Sequence, residues 1–193
     1  MPDGMGRRAP LYAALVHYPV LNRKGEVIAS AVTNLDLHDM ARTVRTYGLP
    51  ACYVITPLAD QRALAERLAD HWRRGIGKEL HPDRAEALTR LRIVETIEAA
   101  EEDIQREQGA SPAVWATTAR GLSGALTHEE AHRQLLGGEG PFLILFGTGW
   151  GLAPSVADRV DAFLEPIRGV DAYNHLSVRC AAAILMDRLH RGR

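Results

Sequence analysis

The 193-residue sequence has little of several features that mark specialised classes of protein. It has two cysteines, Cys52 and Cys180, far apart in apolar stretches, which excludes a disulfide-rich scaffold and predicts two buried, reduced thiols. Its 23 basic and 24 acidic residues nearly balance, so nucleic acid could be attracted only by a local patch or by two subunits together. It lacks the roughly 20-residue apolar run of a membrane helix, and its His and Cys residues show no metal-site spacing. We therefore expect a cytoplasmic protein without a metal.

The length and composition are those of one globular domain with a single sizeable core. The first ten residues, "MPDGMGRRAP", lack the apolar centre of a signal peptide. We expect residues 1–10 to be a frayed lead-in and residues 11–193 to form one domain.

Short apolar runs alternate with amphipathic stretches along the chain. This order predicts an α/β fold with a mostly parallel sheet and helices on both faces. The predicted strands are residues 11–21, 51–57, 111–119, 141–146 and 162–164. The predicted helices follow Thr33, Thr127 and Pro154, span residues 60–72, and close the chain after Asn174.

The middle of the sequence is harder to interpret. Residues 75–84, "GIGKELHPDR", are typical of a loop, and residues 85–108 have the pattern of one long amphipathic helix. The acidic residues near the end of that stretch are most simply a solvated helix face.

A glycine-dense turn, residues 147–152, follows the apolar run that ends at Phe146. Glycines after a strand allow close approach of a ligand, as in a dinucleotide-binding loop. That motif requires a third glycine at position 152, which is leucine, so the dinucleotide hypothesis is disfavoured. A plain structural turn remains an alternative.

Two segments downstream of this turn give it a context. They are "LEPIRG" (residues 164–169) and the alanine-rich "NHLSVRCAAA" (residues 174–183). The three segments in this order resemble the cofactor-binding end of the SPOUT class of RNA methyltransferases. That resemblance implies a C-terminal trefoil knot in which S-adenosylmethionine binds, a topology otherwise nearly absent from proteins.

A second stretch, "TNLDLHDMARTVRTYG" (residues 33–48), resembles the first motif of the same class. Asn34, Arg42, Thr43, Tyr47 and Gly48 occupy the matching positions. The two motifs cover about 130 residues and leave the middle region unmatched. The sequence most resembles a small bacterial subfamily of stand-alone SPOUT proteins.

The resemblance implies a set of cofactor-binding residues in three converging loops and at one further strand end. Backbone N–H and C=O groups of such loops suit the edges of an adenine ring. The candidates are Thr117, Phe146, Gly147, Gly149, Trp150, Gly151, Leu164, Glu165, Pro166, Ile167, Tyr173, Asn174, Leu176, Ser177 and Val178.

Catalysis requires in-line placement and a proton acceptor. Arg42 matches the functional arginine of ribose 2′-O methyltransferases in the class, but Gly149-Trp150 stands where those enzymes carry a glutamate. The departure favours methylation of a base over a ribose. Candidate proton acceptors are Asp36, His38, Asp39 and His175, although a capping or surface role is favoured for each one taken singly. His17 is interpreted as a satisfied strand-end histidine.

The resemblance further implies an RNA substrate, tRNA or rRNA, and a homodimer with the site at the interface. Trp150 could cover the cofactor, stack on a base or be buried between subunits. Candidate phosphate contacts are Arg23, Lys24, Arg42, Arg45 and Arg179. The alternative function is a non-catalytic protein of the same fold that binds S-adenosylmethionine or RNA.

Overall fold

A six-stranded parallel sheet lies at the centre of the computed structural model, which describes residues 8–138, 140–171 and 173–192. The strands are β1 (Leu11–Val16), β4 (Cys52–Ile55), β5 (Leu91–Val94), β6 (Ala113–Ala116), β7 (Phe142–Gly147) and β8 (Ala162–Phe163). Their order across the sheet is β5-β4-β1-β7-β6-β8. A separate antiparallel pair joins β2 (Val20–Leu21) to β3 (Val27–Ile28). The predicted α/β class is confirmed.

Helices cover both faces of this sheet, as an all-parallel sheet requires. They are α1 (Asn34–Thr46), α2 (Ala59–Arg73), α3 (Ile76–Leu80), α4 (Pro82–Leu88), α5 (Ile97–Gln108), α6 (His128–Leu136), α7 (Pro154–Ala157) and α8 (Val178–Arg191). One core layer holds buried residues of α1, α2, α4, α6 and α8. The opposite layer holds those of α5 and α7. β1 contributes alternate side chains to each layer, and all six are buried.

The predicted helix starts at Thr33 and Thr127 are confirmed by their caps, whereas the last helix begins at Val178, four residues after Asn174, and is capped by Ser177. The Thr33 side chain accepts from the Asp36 N–H, and Ser177 accepts from the Cys180 N–H. Thr127 and Glu130 form a complete capping box at α6. Cap residues can be predicted from sequence because their hydrogen bonds involve only the next few residues.

The predicted single strand over residues 11–21 is wrong in its second half. β1 ends at Val16, and Val20 and Leu21 instead pair with Ile28 and Val27 across the Asn22–Glu26 turn. The apolar pattern continues through the break because Val20 is buried in the core layer that also holds α5 and α7.

The predicted long helix over residues 85–108 is also wrong. The chain there forms the end of α4, then β5 at the edge of the sheet, then α5. Residues 75–84, predicted as a loop, contain α3 and the start of α4. A four-residue strand between two helices has too few residues for its period to interrupt a helical pattern.

The two cysteines differ in their surroundings. Cys52 is fully buried in β4, which raises the pKa of its thiol to about 12 and makes it unreactive. Cys180 is exposed in the first turn of α8, so the prediction that it is buried is wrong. No helix in the described ranges is long and apolar enough to cross a bilayer. Of the expected lead-in, residues 1–7 lie outside the described part of the chain.

Candidate functional site

The loops predicted to bind the cofactor meet at one edge of the sheet. β7, β6 and β8 are parallel neighbours, so the residues that follow them, Thr148, Thr117 and Leu164, share that edge. The Asn174 side-chain N–H donates to the Ala119 carbonyl at 3.0 Å, which ties the start of the last segment to the loop after β6. The structure therefore brings together segments that are far apart in sequence, at the end of parallel strands where ligands bind in α/β sheets.

The glycine turn, residues 147–152, is held in place by its own chain. The Trp150 N–H donates to the Leu21 carbonyl, and the Leu21 N–H donates to the Gly151 carbonyl, both at 2.9 Å. A Cβ on Gly149, whose φ is +59°, would lie 2.8 Å from the Leu21 carbonyl oxygen, and one on Gly147 would lie 2.7 Å from the Leu152 nitrogen. These two glycines are required by close packing of the protein on itself, which gives the structural interpretation of the turn a physical basis.

The open segment, residues 165–177, is built differently. Between residues 166 and 176 it makes no backbone–backbone hydrogen bond within the described part of the chain. Val170, Tyr173 and Leu176 are exposed, as is Trp150 in the glycine turn at 56%. The Tyr173 N–H donates to the Asp171 carboxylate at 2.8 Å within the segment itself. The segment otherwise presents exposed apolar side chains beside backbone polar groups for which no partner elsewhere in the described chain is found.

Several predicted cofactor contacts have side chains that are buried or already hydrogen-bonded within the protein. The Phe146 and Leu164 side chains are buried in the core, and Pro166 is buried as well. The Thr117 hydroxyl donates to the Leu145 carbonyl at 3.0 Å. The Glu165 carboxylate accepts from the His128 N–H at 3.0 Å, so it faces α6.

The remaining predicted contacts divide into a few groups. Gly151 has open space where a Cβ would be. Ile167 and Val178 pack against the core. Ser177 caps α8, and Asn174 holds the loop after β6.

The candidate acid–base residues on α1 are already engaged with α8. Arg179 forms ion pairs at 3.2 Å with both Asp36 and Asp39. The second Asp36 oxygen accepts from the Thr33 hydroxyl at 2.6 Å. Arg42, one turn further along α1, is exposed and has no ion-pair partner in the described ranges. Arg179 of α8 therefore holds a carboxylate pair on α1, and the same helix carries an exposed guanidinium that is unpaired in the described ranges.

The two candidate histidines lie in different surroundings. The His38 ring packs edge-on against Trp72 with centroids 5.3 Å apart, and burial, with Arg84 and Arg42 nearby, lowers its pKa. His175 is exposed and stacks edge-on against Tyr173 at 5.2 Å. His38 therefore belongs to the α1–α2 contact, whereas His175 belongs to the open segment.

Sequence reasoning missed a buried hydrogen-bond chain at the end of β1. His17 is fully buried, and its Nδ1 lies 2.9 Å from the Ser30 hydroxyl, which lies 2.5 Å from the Thr148 hydroxyl of the glycine turn. Burial lowers the pKa of His17 to about 4, against an opposing effect of the Asp36 carboxylate. The earlier interpretation of a satisfied histidine is only half right, because Nε2 has no partner in the described part of the chain. No spacing in the sequence links Ser30 or Thr148 to His17.

The open segment fits a ligand with an adenine ring better than it fits a metal. Exposed apolar side chains beside unused backbone donors and acceptors are what a planar heterocycle with polar edges requires. Across the described residues, no three His, Cys, Asp or Glu side chains are grouped to hold a metal ion.

The comparisons with known proteins agree with this geometry. A family model described as SAM-dependent RNA methyltransferase matches residues 10–191, nearly the whole chain. The chain belongs to this family. Members use S-adenosylmethionine, abbreviated SAM, as the methyl donor.

Two curated relatives show how far the similarity extends. A tRNA (guanine-N(1)-)-methyltransferase of Nitratidesulfovibrio vulgaris is 50% identical over 189 residues, which are 96% of this chain but only 44% of that protein. A protein of Aquifex aeolicus without an assigned function is 35% identical over 93% of this chain and 87% of its own length. The chain thus spans less than half of the relative whose name gives an activity.

Solved structures confirm the SPOUT fold. A putative methylase family protein from Neisseria gonorrhoeae superimposes with a TM-score of 0.63 at 17% identity, over 99% of this chain and 84% of that one. The TrmH/SpoU tRNA modifying enzyme of A. aeolicus gives a TM-score of 0.57 at 13% identity, over 97% of this chain and 76% of that one. At these identities the similarity concerns the fold alone.

Proposed function

We propose that this chain binds SAM between the glycine turn and the open segment and methylates a base of tRNA. The carrying observation is the convergence of the glycine turn, the end of β6 and the open segment at one sheet edge, in a chain of this family. Support for a tRNA base comes from the name of the 50% identical relative and from Trp150 in the glycine turn. Bound SAM supplies an electrophilic methyl group; the protein supplies placement and a destination for the proton.

In this proposal the cofactor contacts are mainly backbone groups. Residues 146–151, 164–167 and 173–178 line the adenine and amino-acid ends, with Thr117 at the end of β6. Trp150 in the glycine turn and Tyr173 in the open segment are exposed aromatic rings, available to cover the cofactor or to stack on a substrate base.

Arg42 is the proposed catalytic contact with RNA. It is exposed and unpaired in the described ranges, whereas Arg45 on the same helix is bound to Glu86 at 2.5 Å. A guanidinium without a partner can bind a phosphate or a developing negative charge without first breaking an ion pair. Arg45 and Arg179 are therefore weaker candidates for the phosphate patch than Arg23, Lys24 and Arg42.

Asp36, His38, Asp39 and His175 are the proposed proton acceptors, and the contacts rank them. Asp36 and Asp39 are ion-paired with Arg179, and His38 packs on Trp72. His175 is exposed in the open segment. We rank His175 first because its ring is the one most accessible to RNA bound at the loops.

A paired variant experiment tests the function. Titration calorimetry with SAM, and transfer of labelled methyl to tRNA and rRNA from cells lacking the gene, are measured for wild type, Arg42→Ala and Arg45→Ala. We expect SAM binding in all three and loss of transfer in Arg42→Ala alone. SAM binding without transfer in the wild type would favour the alternative of a non-catalytic binder, and absence of SAM binding would refute the proposal.

Nucleoside mass spectrometry of the product then identifies the modified atom. We expect a methylated base such as 1-methylguanosine. A 2′-O-methylated nucleoside would contradict the base assignment while leaving SAM-dependent RNA methylation intact.

We further propose that the chain is one cytoplasmic domain with a C-terminal trefoil knot and acts as a homodimer. Ala183, Ile184, Asp187 and Arg188 form one half-buried stripe along α8, and we propose that this stripe is the interface. Light scattering on wild type and Ile184→Glu tests it, with a monomeric wild type as the contradicting result.

A further inference from the structure

The protons of two hydroxyl groups fix the direction of the hydrogen-bond chain that starts at His17. The Thr148 hydroxyl donates to the Val16 carbonyl at 2.9 Å, which uses its only proton. The Ser30 hydroxyl lies 2.5 Å from the Thr148 oxygen and 3.5 Å from the His17 carbonyl, so we assign its proton to the much shorter contact with Thr148. Its oxygen then accepts from His17 Nδ1 at 2.9 Å. Neutral His17 consequently carries its proton on Nδ1.

The other ring nitrogen, Nε2, is then a bare acceptor. It is buried and has no partner in the described part of the chain. Buried polar atoms nearly always have a hydrogen-bond partner, and an acceptor can be satisfied only by an N–H or O–H donor. Burial also keeps the ring neutral at physiological pH, so the lone pair stays free.

The position of His17 connects this nitrogen to the candidate site. His17 directly follows β1, which pairs with β7, and Thr148 lies inside the glycine turn. The Asp36 carboxylate is close enough to act on the pKa of His17. Each oxygen of Asp36 already accepts one hydrogen bond, from Arg179 and from the Thr33 hydroxyl. His17 Nε2, in contrast, accepts none within the described part of the chain.

We propose that His17 is a positioning residue of the methyl-donor site, and this inference rests on the proposed function. Its Nδ1–H holds Ser30 and Thr148, and through them the glycine turn, in the binding conformation. Its Nε2 accepts a hydrogen bond from an N–H or O–H group of the ligand that binds against the turn.

Two substitutions at His17 separate these roles. Asparagine can place an N–H where Nδ1–H lies but has nothing at Nε2, whereas leucine removes both groups. We expect His17→Leu and Ser30→Ala to weaken SAM binding about tenfold or more. His17→Asn should recover much of that affinity while still falling short of wild type. His132→Asn is the matched control, because His132 Nδ1 contacts the Leu189 carbonyl at the far end of α8.

Nitrogen NMR of histidine-labelled protein provides a readout that a merely structural role would not move. Without ligand, His17 should show a protonated Nδ1 and a bare Nε2. On addition of SAM, the Nε2 resonance should shift toward that of a hydrogen-bonded nitrogen, and the His132 signals should stay unchanged.

The outcomes distinguish this inference from the proposed function. Wild type that binds SAM with an unchanged Nε2 resonance, or a His17→Leu variant that binds SAM as wild type does, would overturn the role of His17 alone. Wild type that fails to bind SAM would refute the proposed function, and a proton found on Nε2 in the free protein would refute the tautomer independently.

Discussion

The glycine turn and the open segment lie at the same edge of the sheet but are built in opposite ways. The turn is fixed by hydrogen bonds to Leu21 and by the His17–Ser30–Thr148 chain. The open segment has no backbone–backbone hydrogen bond from 166 to 176 in the described ranges, and it exposes Val170, Tyr173 and Leu176. The difference indicates that one wall of the proposed site is held by the protein's own hydrogen bonds, whereas the other wall has few of them.

The strongest way to break the fixed wall is Gly149→Ala. The new Cβ would meet the Leu21 carbonyl at 2.8 Å in a left-handed backbone conformation. We expect the free energy of unfolding to fall by about 3 kcal/mol. We also expect SAM binding to be lost. Urea unfolding and calorimetry measure both.

Gly25→Ala is the matched control, because Gly25 has a similar positive φ and open space around it. Its loss should be about 1 kcal/mol, with SAM binding unchanged. Equal losses at the two positions would show that backbone strain alone, without the close contact, explains the effect.

The pH dependence of stability tests the same wall, because His17 is part of its hydrogen-bond chain. The unfolded chain takes up this proton near pH 6.5 and the folded chain near pH 4, so the unfolded state binds more protons between these values. Stability from this group is therefore complete above pH 6.5 and falls by about 3 kcal/mol by pH 4. Thermal unfolding of wild type and His17→Asn from pH 7.5 to 4 should show a shallower decline in the variant. Parallel curves would contradict the buried neutral ring.

Substitutions of exposed side chains around the open segment should change RNA affinity but not the stability of the protein. Trp150 and Tyr173 are 56% and 73% exposed, so alanine at either position should leave the melting temperature unchanged. If each stacks on a base, RNA affinity should fall by about 1–3 kcal/mol in a filter-binding assay. A lower melting temperature with intact RNA binding would instead place these rings against other parts of the protein.

The smallest effect is expected at the junction between α1 and α8. Arg179→Gln leaves Asp36 and Asp39 without their cation, at a site where the Arg179 side chain is 28% exposed. We expect about 1 kcal/mol of destabilisation in urea, largely recovered in Arg179→Lys. An Arg179→Gln variant as active and as stable as wild type would show that this ion pair contributes to neither property.

Local features of the fold were predictable from sequence, whereas the walls of the site were not. The caps at Thr33, Thr127 and Ser177 and the β7 strand follow from a few adjacent residues. The contact of Leu21 with Trp150, and that of Ser30 with Thr148, depends on tertiary packing. Charge alone also could not show that Arg45 and Arg179 are paired while Arg42 is not.

The central pairing of the sheet has a consequence for how the chain acquires its structure. β1 pairs with β7, with Leu11 aligned to Phe142. Because β7 lies late in the sequence, this neighbour of β1 is synthesised only after most of the chain. Until then the edge of β1, whose six side chains are all apolar in character, can pair with β4 but has an unpaired side. Contacts this distant in sequence form slowly, and an open apolar edge invites association with other chains. During synthesis, one side of β1 therefore stays unpaired until β7 has been made.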